Sequence, residues 1–131
     1  MTKKEMIDTG ADFEKLDFDM INSLTTLERN LLIKYGWKLK ILLNGLNSGG
    51  HTGETHNDGI AVDFIVEGEK VIPKYVIWEM IRAGFNGIGF YRNKGKAVSY
   101  HGDTRIFPAQ WRWDGDLDEN DRKIYKALFI V

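Results

Sequence analysis

The chain has 131 residues, no cysteine, and 18 basic against 19 acidic residues, for a formal net charge of −1. This length suits one domain with a single core, and the balanced charge gives no bulk attraction to nucleic acid or to an anionic membrane. Without cysteine the chain cannot form disulfides, thiolate nucleophiles or cysteine zinc sites, so a metal would have to be bound by His, Asp and Glu.

The chain begins with a polar segment that is followed by a helix. Residues 1–16 lack the continuous apolar stretch of a secretory signal, and we expect a loose segment in which only Phe13 and Leu16 pack on the domain. From residue 17 to 35, apolar side chains recur at helical spacing, and Gly36 follows as a helix stop, which predicts an amphipathic helix. No apolar run approaches the roughly 20 residues of a membrane helix.

The rest of the chain alternates predicted strands with one more helix. Trp37–Leu43 alternates and then becomes apolar, and Ile60–Val66 is rich in β-branched and aromatic residues, so both predict strands. Pro73 and Gly84 are typical of the first position and the end of a helix. Two more strands, joined by a turn, are expected at 87–91 and 97–101. Because there is no internal repeat or low-complexity segment, we expect one domain over the whole chain.

Two polar residues, His56 and Asp63, lie close to the start of the second predicted strand. His56 belongs to a long loop, 44–58, which is rich in Gly, Asn and Thr, and loops of this length inside a domain are usually functional or mobile. Asp63 lies within an otherwise apolar strand, and burying an unpaired carboxylate costs several kcal/mol. A metal bound by both side chains would account for the two residues together.

A further candidate ligand for this metal is His101. Zinc sites use at least three protein ligands, and besides His56 the chain has only His51 and His101. His101 ends a predicted strand, so it can meet Asp63 if the two strands are neighbours in the sheet. The set of His56, Asp63 and His101, with one position open for water, is the pattern of a catalytic zinc site, where the bound water has a pKa of about 7. We expect His51 to be a solvated loop residue or a donor to a ligand.

Four segments of the sequence, taken together, resemble one enzyme family. HNDGIAVDF (56–64) resembles the H-x-x-G-x-A-x-D motif of the zinc D-alanyl-D-alanine carboxypeptidases and related peptidoglycan endopeptidases. The other three are similar to the glycine-rich strand, the H-x-D-x-R segment and the Arg-Trp ending of these enzymes: GFNGIGFY (84–91), YHGDTR (100–105) and QWRW (110–113). Their order along the chain is that of the family.

The resemblance, which runs from about residue 17 to 113, implies a fold, a cofactor and an activity. The implied fold is a small α+β domain with a mainly antiparallel sheet and flanking helices, like that of hedgehog and DD-peptidase domains. The implied cofactor is Zn²⁺, with His56, Asp63 and His101 as its ligands. The implied activity is hydrolysis of the stem or crosslink peptides of peptidoglycan, by a carboxypeptidase or an endopeptidase.

The chain departs from the family at three places that concern the substrate and the general base. Glu54 stands where the family usually has a serine two residues before its first ligand. The loop at 42–54 lacks the arginine with which many members hold a substrate carboxylate, and Val98 replaces the catalytic Asp or Glu of some branches.

Peptide hydrolysis needs a base, and a carboxylate beside the metal is the usual one. Asp103 is the first candidate, because the H-x-D spacing keeps it on the same strand face as His101. Glu54 is the second, because it lies two residues before a ligand. A third arrangement makes Asp103 the metal ligand and His101 the acid–base partner.

Three further residues are candidates for substrate binding, each with a simpler alternative. Arg105 is expected either to form a surface ion pair with Asp103, which is worth little, or to bind a substrate carboxylate through two hydrogen bonds. Tyr91 and Trp111 are expected either to contact the substrate or to pack in the core or at its rim.

The lack of a signal segment suits a phage lysin (endolysin), a phage-derived protein or a cytoplasmic hydrolase, which would degrade the cell wall after release. We expect a monomer whose partner is a peptidoglycan peptide. The alternative hypothesis is a zinc-binding module on the same fold that binds a peptide or another protein without cleaving it; Val98 and the missing arginine favour it, and Asp103 opposes it. A third hypothesis makes zinc a structural staple, whose removal would unfold the domain.

Overall fold

The structure is a computed structural model, and it describes residues 1–47, 58–92, 98–105 and 110–115; for Arg92 and 110–115 it describes the backbone alone. The helices are α1 (Lys3–Asp8), α2 (Phe18–Tyr35) and α3 (Pro73–Ala83), with one 3-10 turn at Phe13–Lys15. The strands are β1 (Lys38–Ile41), β2 (Ala61–Glu67), β3 (Gly87–Arg92), β4 (Ser99–Asp103) and β5 (Gln110–Gly115). These elements confirm the α+β fold class.

The five strands form one sheet in the order β1-β2-β4-β3-β5. β1 pairs with β2, β2 with β4, and β4 with β3, all antiparallel, whereas β5 pairs with β3 in parallel. The mainly antiparallel sheet and the two strands predicted at 87–91 and 97–101 are therefore confirmed, the second of them as Ser99–Asp103, whereas most of the turn predicted between them lies outside the described residues. The central position of β4 makes it a neighbour of both β2 and β3.

The two long helices begin and end at the residues that the sequence indicates. The Asp17 side chain accepts a hydrogen bond from the backbone N of Met20 (3.1 Å), and Gly36 ends α2 in the left-handed conformation (φ 70°). α3 starts with Pro73 and ends at Gly84 in the same left-handed conformation (φ 104°). Both predicted helices are confirmed, and no helix in the described part of the chain is long and apolar enough to cross a membrane.

Both helices pack on one face of the sheet and form the core there. The residues of this face alternate with those of the opposite face, as the period of two in a strand requires. At Gly102 of β4, an added Cβ would lie 2.8 Å from the Phe85 ring and 3.0 Å from Met80 Cε of α3. The buried core residues of the strands and helices include Val62, Phe64, Ile88, Phe90, Tyr100, Met20, Leu24, Leu27, Val76, Ile77 and Met80. The helices thus leave the other face for polar residues.

The expectation of a loose segment at 1–16 is wrong. α1 forms there, and Met6 is only 2% exposed in the core. The backbone of Asp12 is also held by the Asn47 side chain. Asp12 N donates to Asn47 Oδ1 (3.0 Å), and Asn47 Nδ2 donates to Asp12 O (2.9 Å). Burial of Met6 in the core holds this segment on the domain, although most of its residues are polar. Packing of the two residues expected to dock is confirmed for Leu16 and Phe13.

β5 is a strand that the element predictions did not include. QWRW is similar to the Arg-Trp ending of the family, and Trp111 is a candidate for substrate binding or packing, but no strand is predicted there. Its alternation of apolar and polar residues is typical of a strand, so the signal was present. The parallel pairing with β3 could not be predicted from neighbouring residues, because it depends on where the chain returns to the sheet.

Candidate functional site

The candidate site lies on the sheet face away from the helices, where β2 and β4 run side by side. In the antiparallel register Asp63 is opposite His101, and Ala61 is opposite Asp103. Residues two apart on a strand share a face, so Asp63, His101 and Asp103 all belong to this face. The predicted meeting of Asp63 and His101 across neighbouring strands is confirmed.

The backbone of Asp63 is held on both sides of its position in β2. Its N donates to the carbonyl oxygen of Gly45 (2.7 Å), and its own carbonyl oxygen accepts from Leu42 N (3.1 Å). On its other edge β2 pairs with β4 through the register of Asp63 and His101. The Asp63 carboxylate, which is 28% exposed, therefore projects from a fixed point next to the imidazole.

His101 bridges two carboxylates. Its Nδ1 lies 3.0 Å from Asp63 Oδ1, and its Nε2 lies 2.9 Å from Asp103 Oδ2. The His101 side chain is 7% exposed, and Asp103 is fully buried. The ring is therefore oriented from both sides and largely shielded from solvent.

Asp103 is also held by Arg105, through both carboxylate oxygens. Arg105 Nε donates to Oδ1 and Nη2 donates to Oδ2, both at 2.6 Å, and the backbone N of Arg105 donates to Oδ1 at 3.3 Å. Asn86 Nδ2 in turn donates to the carbonyl oxygen of Arg105 (2.7 Å). The predicted ion pair exists, but it is wrong to place it at the surface, because the carboxylate is buried and bound in the bidentate geometry of strong pairs. Binding of a substrate carboxylate by Arg105 stays a prediction.

These contacts set the charges of the site. Burial alone would raise the pKa of Asp103, but the hydrogen bonds from Arg105 and His101 and their positive charges hold it far below its usual range. Burial alone would lower the pKa of His101, but its hydrogen bonds to Asp103 and Asp63 and their negative charges outweigh burial, so the pKa is raised. Asp103 is thus ionised at neutral pH, where it accepts hydrogen bonds and does not donate them.

The two contacts of His101 fit a shared cation. A neutral imidazole has one N–H donor and one lone pair, so it can donate to only one of two carboxylates. With the proton on Nε2, donated to Asp103, the lone pair of Nδ1 faces Asp63 Oδ1, an arrangement that requires a second proton or a metal ion. Donor atoms about 2.1 Å from a tetrahedral zinc lie about 3.4 Å apart, so the observed 3.0 Å would have to widen slightly when a metal binds. A carboxylate on the outer nitrogen of a metal-binding histidine, the position of Asp103, is the usual supporting arrangement.

Two glycines of β3 make the space that this arrangement needs. Gly87 is paired with Asp103, and Gly89 is paired with His101. A Cβ at Gly87 would overlap both carboxylate oxygens of Asp103, and a Cβ at Gly89 would lie 3.1 Å from His101 Cβ. Sequence reasoning recognised the glycine-rich segment but missed this role. The signal was the equal spacing of G-x-G and H-x-D in adjacent strands.

The structure describes some of the other predicted site residues and not others. Tyr91 lies in β3 and is half-buried. Trp111 lies in β5, where its backbone pairs with Ile88 of β3. Glu54 and His56, as well as His51, lie outside the described residues. Within residues 1–47, 58–92, 98–105 and 110–115, no group of three His, Asp or Glu side chains is placed to hold a metal. Two of the three predicted ligands, Asp63 and His101, are in contact there.

Comparison with known proteins adds no family assignment. The chain matches no protein-family model, no curated protein and no solved structure. The resemblance to zinc peptidases, including the hedgehog-like detail of the fold, therefore stays a prediction from the motifs.

Proposed function

We propose that this domain is a zinc-dependent peptidase that hydrolyses stem or crosslink peptides of peptidoglycan. The observation that carries the proposal is the placement of His101 between Asp63 and Asp103, at 3.0 and 2.9 Å. Zn²⁺ would be held by Asp63, His101 and, from the loop before β2, His56. In this proposal the protein acts as a monomer on the cell wall, as a phage lysin does.

The residues of the site divide the work of hydrolysis. When bound, Zn²⁺ supplies Lewis-acid polarisation and a nucleophile at neutral pH. Asp103 accepts a hydrogen bond from Nε2–H of His101, and this keeps the proton on Nε2 and directs the Nδ1 lone pair towards Asp63. Arg105 keeps Asp103 ionised and in place, so that the imidazole cannot rotate away.

The contacts of Asp103 bear on whether this residue can act as the general base. Its two oxygens already accept four hydrogen bonds, three from Arg105 and one from His101. A base must be able to take up a proton, and a carboxylate whose pKa is held this low does so poorly at neutral pH. This favours a positioning role for Asp103 and makes Glu54 our first choice for the base.

The occupied state of Asp103 also favours the second candidate function, a zinc-binding module that binds a peptide or another protein without cleaving it. Val98 supports this candidate as well, because it packs against the core at a position where some zinc peptidases have a catalytic acid. The two candidates differ in what Glu54 does. Only a peptidase loses turnover when the Glu54 carboxylate is replaced by an amide.

The first experiment measures zinc by elemental analysis in the wild-type protein and in single histidine variants. We expect about one zinc per chain, lost in His56→Ala and His101→Ala and kept in the matched control His51→Ala. A protein that contains no zinc even after reconstitution would overturn the proposal. A chelator that unfolds the domain would instead indicate a structural metal.

The second experiment tests cleavage. Purified peptidoglycan is digested with the zinc-loaded protein, and the released fragments are identified by mass spectrometry, which also locates the cleaved bond. We expect Glu54→Gln to abolish cleavage while zinc stays bound, and the control Glu14→Gln, at an exposed carboxylate, to leave it unchanged. Zinc binding without cleavage by the wild-type protein would favour the binding module.

A further inference from the structure

A tyrosine of β3 reaches the same face of the sheet as His101. Tyr91 is two residues after Gly89, so the two share a face of the strand, and Gly89 is paired with His101. The point where a Cβ of Gly89 would stand is 3.0 Å from Tyr91 Oη, 3.1 Å from Tyr91 Cε2 and 3.1 Å from His101 Cβ. The phenol ring therefore lies back over Gly89. Its hydroxyl is within about 6 Å of His101 Cβ, because both atoms lie about 3 Å from the same point.

Gly89 permits this position of the ring. A side chain there would meet the Tyr91 phenol and His101 Cβ at 3.0 to 3.1 Å, closer than carbon atoms normally approach a non-bonded neighbour. Glycine at this position weakens the strand, but it leaves the space in which the phenol of Tyr91 lies next to His101.

Among the residues that the structure describes, the hydroxyl of Tyr91 makes no hydrogen bond, although the residue is half-buried. A buried or half-buried phenol usually finds a hydrogen-bond partner. The guanidinium of Arg105, another donor beside His101, already holds both oxygens of Asp103.

We propose that Tyr91 is a catalytic residue whose hydroxyl donates a hydrogen bond to the carbonyl oxygen of the scissile peptide bond. The proposal rests on the peptidase function proposed above. Negative charge grows on this oxygen as water adds to the carbonyl carbon, so a donor aimed there stabilises the transition state more than the ground state. The proton stays on Tyr91, and the residue is neither consumed nor ionised.

The test compares Tyr91→Phe with Tyr75→Phe, which removes the same hydroxyl from a partly exposed tyrosine of α3, on the helix side of the sheet. Five quantities are measured for each protein. They are the melting temperature, the zinc affinity by competition with a chromophoric chelator, kcat and KM on soluble peptidoglycan fragments, and the affinity for a phosphinate analogue of D-alanyl-D-alanine by calorimetry. The tetrahedral phosphinate oxygens stand in for the oxygens of the transition state.

We expect Tyr91→Phe to bind zinc as the wild type does, to lower kcat by about 100-fold with little change in KM, and to weaken phosphinate binding by a similar factor. Tyr75→Phe should leave all five quantities unchanged. A merely structural role for Tyr91 would change the melting temperature and zinc affinity together with kcat.

Two results would overturn the assignment, and they are distinguishable. If Tyr91→Phe keeps the kcat and the phosphinate affinity of the wild type, Tyr91 is not the donor, and the peptidase function stands. If the wild-type protein neither cleaves the fragments nor binds the phosphinate, the proposed function and the role of Tyr91 are both wrong.

Discussion

Replacing Asp103 by asparagine tests how the site is held together. The side chain keeps its size, but one oxygen becomes an NH₂ group. Asp103 is fully buried and accepts four hydrogen bonds, two on each oxygen. With Oδ1 kept as the amide oxygen, the new NH₂ group faces Arg105 Nη2 and His101 Nε2, which are both donors.

The cost of this change follows from the bonds that are lost. The hydrogen bond from Arg105 Nη2 to a charged group, worth about 1.5–3 kcal/mol, disappears, the bond with His101 Nε2 becomes one to an uncharged amide, and the positive charge of Arg105 loses its partner. This agrees with the about 3–5 kcal/mol lost when one partner of a buried ion pair is removed. Because part of Arg105 reaches solvent, we expect the lower end, about 3 kcal/mol in the free energy of unfolding.

A second effect of Asp103→Asn concerns the tautomer of His101. An NH₂ group can only donate to Nε2, which moves the ring proton to Nδ1, opposite Asp63 Oδ1. A protonated Nδ1 cannot bind a metal, so we expect zinc affinity to fall by about 10–100-fold.

The assays are urea unfolding of the metal-free protein and zinc competition with a chromophoric chelator. Asp8→Asn is the control, because Asp8 forms an exposed ion pair with Lys4, so the substitution should change stability by less than about 1 kcal/mol. If Asp103→Asn loses less stability than about 1 kcal/mol and binds zinc like the wild type, the orienting role of Asp103 is refuted.

Three other substitutions test the packing around the site and in the core. Gly87→Ala places a Cβ on the Asp103 carboxylate, which four donors hold in place, so we expect weaker zinc binding and about 2–4 kcal/mol less stability in urea unfolding; unchanged values would mean that the carboxylate can move freely. Met6→Ala removes the buried anchor of α1 and should cost about 2–4 kcal/mol in urea unfolding and expose residues 1–16 to limited proteolysis, whereas a resistant N-terminus would contradict the role of this anchor. Glu79→Gln removes the buried negative charge beside Lys34 Nζ (2.9 Å), and we expect a loss of about 1–3 kcal/mol by thermal or urea unfolding. The loss should be only partly reduced in 1 M salt, because the carboxylate is buried although the lysine is 39% exposed; a loss that disappears in 1 M salt would contradict this.

Helices and strands were predictable where their signals are local. The ends of α2 are marked by Asp17 and Gly36, and those of α3 by Pro73 and Gly84, because capping and stop residues act on the backbone within a few positions. The strand pattern at 60–66 was equally clear. The N-terminal helix was missed because its stability comes from burying Met6 in a core formed by distant residues, which composition does not reveal.

For the candidate site, the sequence by itself determined the chemistry: which residue types were present, and that Asp63 and His101 could meet if their strands were neighbours. Only the tertiary structure decided that β4 lies between β2 and β3, that Arg105 binds both oxygens of Asp103, and that Gly87 gives that carboxylate its space. The physical reason is that residue spacing along a strand determines which side chains share a face, whereas strand order and register depend on contacts between segments far apart in the chain.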